Sequence, residues 1–96
     1  MSDWRFAQDD PAEELAQVTY FSIKKHQERG AVEFIVTVRE YVNRNAQNMR
    51  FFAQADKEVN QKAGGFLPFG WGDTMLSALS ECFRTIRAYP YDGEGG

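Results

Sequence analysis

Residues 31–42, Ala-Val-Glu-Phe-Ile-Val-Thr-Val-Arg-Glu-Tyr-Val, constrain this chain more than any other segment. Val, Ile, Phe, Thr and Tyr crowd together without Gly or Pro, which is the composition of a β-strand. Side chains alternate across a strand, so Val32, Phe34, Val36 and Val38 share one face. A strand carrying such a face needs partners on both sides.

The flanking sequence supplies them. Upstream, residues 17–25 (Gln-Val-Thr-Tyr-Phe-Ser-Ile-Lys-Lys) are β-rich, and His26-Gln27-Glu28-Arg29-Gly30 makes a turn. Downstream, the polar run Asn43 to Asn48 makes a second turn, and residues 49–54 (Met-Arg-Phe-Phe-Ala-Gln) a third strand. The expectation is a three-stranded antiparallel meander over residues 17–54. Matching apolar faces puts Phe21 opposite Phe34 and Ile23 opposite Val32, with a loop from His26 to Arg29. It also puts Phe51 opposite Val38 and Ala53 opposite Val36, with Arg44-Asn45 as a two-residue turn. A bulge at Gly30 would shift the first pairing by one and flip that strand.

A meander leaves one apolar face to be covered, and the C-terminal half offers a helix over residues 73–88. Met75, Leu76, Leu79, Cys82, Phe83 and Ile86 recur at helical spacing. Asp73 is the expected N-cap, with Thr74 as its rival, and Tyr89-Pro90 ends the helix. Between sheet and helix, residues 55–72 form a connection that ends in an aromatic, Gly-rich loop carrying Phe66, Phe69 and Trp71. At the N-terminus residues 1–9 read as a flexible arm. Asp10-Pro11-Ala12-Glu13-Glu14 starts a short helix ending near Ala16 or Gln17. Residues 91–96 are a tail. The fold class is therefore α+β in one domain of 96 residues, with Phe21, Phe34, Val36, Val38, Phe51, Leu79, Phe83 and Ile86 in the core.

Composition then limits function. One Cys and one His make neither an internal disulfide nor a zinc site, so neither a metal nor a cofactor is expected. Cys82 sits on the apolar stripe, where a thiol behaves as a small hydrophobe. His26 lies in a turn, and Ser77 and Ser80 have no base predicted near them. Gly70-Trp71-Gly72 before a helix starts like a phosphate cradle. However, Met75 stands where the dinucleotide fingerprint needs Gly, no Gly-Lys-Ser/Thr follows, and Asp73 repels phosphate. The chain is read as non-enzymatic. No apolar run is long enough to span a membrane. The opening Met-Ser-Asp-Trp-Arg is unlike a signal or transit peptide, and a lone thiol suits a cytoplasmic home.

The formal net charge is −3, with acidic ends flanking a faintly basic body, which argues against general nucleic-acid binding. The more informative feature is the second face of the meander: Val18 and Tyr20, then Ile35, Thr37, Arg39 and Tyr41, then Arg50 and Phe52. A sheet with one helix needs only one apolar face, and a second apolar patch marks an interface. Three covers are open: the arm (Trp4, Phe6) or the aromatic loop, a second subunit or another protein, or single-stranded nucleic acid. In the last case Tyr20, Tyr41 and Phe52 would stack bases, and Arg39, Arg50 and Lys24 would hold phosphates. The expected function is a small soluble protein-binding or oligomerising module, a homodimer among the choices, with the nucleic-acid platform as the rival.

Two local likenesses accompany this expectation. The order short helix, three strands, helix is similar to that of double-stranded-RNA-binding domains in topology alone, since the last helix opens Asp73-Thr74-Met75-Leu76 where those domains place a run of Lys. Gly72-Asp73-Thr74 followed by Ala78-Leu79 looks like the strand-to-helix junction of HicB-type antitoxins, with Ser77 at their usual Glu. Neither carries a family assignment.

Overall fold

The computed structural model describes residues 3–28, 30–43 and 47–92. Its long β-rich stretches form β1 (Ala16–Gln27) and β2 (Gly30–Tyr41), an antiparallel hairpin of two twelve-residue strands. Two shorter strands follow, β3 (Phe51–Ala55) and β4 (Phe69–Gly72), and then α1 (Met75–Ala88). The sheet is antiparallel in the order β1-β2-β3-β4. The fold is thus α+β with one C-terminal helix, as expected, but it has four strands where three were predicted.

The extra strand comes from the segment read as an aromatic loop. Phe69-Gly70-Trp71-Gly72 alternates large and absent side chains, and alternation is what a pleated strand needs. Glycine pairs are ordinarily a turn signal, which is why the strand was missed. Here the glycines serve contact instead. A Cβ on Gly70 would stand 2.5 Å from the Ala78 carbonyl oxygen, and one on Gly72 2.5 Å from Ser77 Cβ. α1 therefore lies directly on the β4 backbone.

Both hairpin registers are displaced by two residues from those expected. Phe21 pairs with Val36 and Ile23 with Phe34, which brings Gln27 opposite Gly30 and removes the four-residue loop. The ladder runs unbroken through Gly30, so there is no bulge. Ala53 pairs with Val38 and Ala55 with Val36. The Arg44-Asn45 turn lies outside the described residues, but β2 and β3 are joined by residues 42–50, not by two residues. A shift of two preserves which side each residue faces. The buried face is therefore the expected one, on β2 Phe34, Val36 and Val38, and on β3 Phe51, Ala53 and Ala55.

α1 covers β4 and β3 and reaches β2, burying Ala78, Cys82 and Ile86. Phe21, Leu79 and Phe83 pack against this core but stay half-buried, and Leu76, placed on the stripe by its spacing, is exposed. The N-cap is Thr74, not Asp73: its hydroxyl accepts the Ser77 N–H at 3.1 Å. Tyr89 caps the C-terminus. Lys25 adds a further stop by donating to the Ile86 and Tyr89 carbonyls, both at 2.7 Å. Burial lowers that ammonium's pKa from the ordinary lysine value.

The N-terminal helix expected from Asp10 does not form. Asp10 instead closes a single turn, its carboxylate accepting from Ala12 N–H at 2.9 Å and its carbonyl from Glu13 N–H at 3.0 Å. So short a segment cannot meet the cost of helix nucleation, and Leu15 already joins the sheet by accepting from Val42 N–H. The N-terminal helical element is a 3-10 turn at Asp3–Ala7, inside the segment read as an arm. Without that helix, and with a fourth strand, the element order no longer parallels a double-stranded-RNA-binding domain.

Candidate functional site

Alternation along the four strands assigns the residues of the second face. β1 contributes Val18, Tyr20, Ser22 and Lys24, and β2 contributes Glu33, Ile35, Thr37, Arg39 and Tyr41. Phe52 and Gln54 come from β3, and Phe69 and Trp71 from β4. Of the predicted face, Tyr20, Ile35, Arg39, Tyr41 and Phe52 are brought together. Phe69 and Trp71 join them as members of the face instead of folding over it as a lid.

The rings form a strip across three strands. Phe52 and Trp71 have centroids 4.6 Å apart, Tyr41 stacks on Trp71 at 6.2 Å, and Phe69 lies 6.1 Å from Phe52. Such pairs add stability beyond the area they bury. Within the strip Phe69 keeps 54% of its surface while Tyr41, Phe52 and Trp71 are half-buried; Tyr20, apart from it on β1, keeps 69%. At the strip's end a groove of about 360 Å³ opens between Tyr41, Trp71, Glu14 and Gln8. Arg39, opposite Phe52, makes no ion pair with any described residue.

Two predicted members lie elsewhere. Arg50 is not the cross-strand neighbour of Arg39. Its guanidinium sits 3.7 Å from Glu40 and 5.5 Å over the Phe51 ring, so it serves the helix side. Arg5 from the N-terminal turn binds the same Glu40 carboxylate. Phe6 does not cover the face, since it stays 82% exposed, while Trp4 is half-buried beside Arg5. Phe66 leaves the strip to meet Tyr89 edge-on at 5.1 Å.

The lone thiol is not poised for nucleophilic chemistry. Cys82 is buried, and desolvation pushes its thiol up to about 11, away from the thiolate a nucleophile requires. His26 lies on β1, exposed to solvent. Among the described residues no three His, Cys, Asp or Glu side chains cluster to hold a metal, and no helix is long and apolar enough to cross a membrane. Composition alone missed Phe69 and Trp71 as face residues; the signal was the two-residue period of Phe-Gly-Trp-Gly.

No protein-family model, curated protein or solved structure matches the chain.

Proposed function

We propose that this protein is a non-enzymatic protein-binding or oligomerising module whose working surface is the open face of its sheet. One observation carries this: Tyr20, Ile35, Tyr41, Phe52, Phe69 and Trp71 stand on the side of the sheet opposite α1. Apolar surface gains roughly 25 cal/mol per Å² on leaving water, so a partner that covers this strip is favoured. A cytoplasmic setting belongs to the same proposal, on the ground of a lone, buried thiol.

A second reading rests on Arg39. A cation with no ion-pair partner among the described residues, beside stacked rings, is also what a platform for single-stranded nucleic acid uses. Light scattering after gel filtration, with titration of fluorescent single-stranded DNA and RNA at low and high salt, separates the two. A mass near twice 11.0 kDa without nucleic-acid binding supports an oligomerising module. Micromolar binding that weakens with salt and disappears in Tyr41→Ala or Arg39→Ala replaces it with the platform.

A further inference from the structure

β1 is an outer strand of the sheet, and its free edge carries the conditions for pairing with a copy of itself. Leu15 accepts from Val42 N–H, so Leu15 turns its backbone toward β2. Backbone direction alternates along an antiparallel ladder, and the β1 ladder is unbroken from Ala16 to Gln27. Gln17, Thr19, Phe21, Ile23 and Lys25 therefore bond inward. Ala16, Val18, Tyr20, Ser22 and Lys24 turn their N–H and C=O groups to the open edge. Proteins guard such edges with charge, proline, bulges or a covering loop. From Ala16 to Ile23 the edge has no charge, no proline and no bulge, and the arm's anchors, Arg5 on Glu40 and the Gln8 side chain on Leu15 N–H, lie at the N-terminal end of the strand.

Charge selects both the partner and the register. Glu13 and Glu14 precede the strand, and Lys24 follows its uncharged stretch; Glu14 and Lys24 make no ion pair with any described residue. An antiparallel pairing of two β1 strands about a two-fold axis brings one end of each against the opposite end of the other. With the axis at Thr19, Lys24 faces Glu14 of the second copy, Tyr20 faces its Val18, and Ile23 faces its Leu15. All the even-numbered pairs then carry outward backbone groups on both strands, as the ladder demands. Moving the axis to Tyr20 or Phe21 would set Lys24 against Ala16 or Val18 and lose the ion pair.

We infer that a second copy of this chain docks along β1, antiparallel, with Thr19 on the two-fold axis, giving one eight-stranded sheet with the two aromatic strips on the same side. This rests on the oligomerising form of the proposed function and specifies its interface. Thr19 meets its symmetry mate as a non-hydrogen-bonded pair, where Cα atoms lie about 4.5 Å apart, within disulfide range. Thr19→Cys should therefore give a covalent dimer under mild oxidation, and His26→Cys and the parent chain, with Cys82 buried, should not. Lys24→Glu and Glu14→Lys should each weaken the dimer about tenfold by setting like charges opposite one another, and the double variant should recover to within about twofold. A chain that stays monomeric at millimolar concentration overturns the inference. So does a dimer whose Thr19→Cys form does not cross-link, or one in which the double variant is no better than the singles. Those results leave the open-face reading standing, since the nucleic-acid titration and partner binding through Phe69, on β4 far from the β1 seam, judge it separately.

Discussion

On the helix side, β3 and β4 present Phe51, Ala53, Ala55, Gly70 and Gly72; on the other side, the same strands present Phe52, Gln54, Phe69 and Trp71. The smaller residues lie inside and the larger ones outside. The inner face is small because α1 sits so close to β4 that even one Cβ would collide. Bulk on the inner face comes from Phe51, from β2, where Phe34 is fully buried, and from Phe21 and Ile23 of β1. The outer face has no such constraint from within the chain, yet it keeps the large rings. These rings pack on one another, Phe52 and Tyr41 on Trp71 and Phe69 on Phe52, which is the lesson of the contrast: one face is shaped by the helix and the other by its own rings.

The contrast can be broken most directly at Phe34. Phe34→Ala should cost about 3–5 kcal/mol in denaturant unfolding, a large part of a small domain's stability; an unchanged midpoint would refute the placement of the core. Next comes Gly70→Ala, which forces a methyl against the Ala78 carbonyl and should cost about 1–3 kcal/mol. If it were neutral, the helix would not be resting on the β4 backbone. A smaller effect is expected at Cys82. Its folded pKa is raised to about 11 from 9.0, so its contribution is complete below pH 9 and fades as pH climbs through 11. Stability measured across that interval should fall less steeply in Cys82→Ala, and native thiol labelling should be slow. Smallest of all, Tyr20→Ser and Phe69→Ser should shift stability by less than about 0.5 kcal/mol while reducing partner binding. A large loss of stability at either would mean that the outer face is part of the core.

The inner face was legible because period-two patterning in Val32 to Val38 survives any even displacement of register. The register itself was not, because face matching alone leaves shifts of two unresolved. Turn geometry would have decided it, and neither turn has a strong signature. β4 was hidden by its glycines, and the capping hydroxyl of Thr74 by the adjacent Asp73. At the candidate site, Tyr20, Ile35, Arg39, Tyr41 and Phe52 follow from alternation. The loss of Arg50 to Glu40 was not legible, since Arg50 lies one residue before β3, where strand alternation no longer fixes its side.

Near the hairpin tip, the Gln27 side chain accepts from Tyr91 N–H at 2.9 Å and donates to its carbonyl at 3.1 Å, while the Tyr91 ring meets Phe34 edge-on at 6.0 Å. The two residues are 64 apart, so this clasp closes only after all of the intervening chain has been made and positioned. Closing a long loop is entropically costly, and contacts of high sequence separation slow folding. The β1–β2 hairpin is synthesised before the residue that clasps its tip. Until α1 and Tyr91 arrive, the inner face of the hairpin, Phe34 included, is uncovered on the nascent chain and open to non-native contacts.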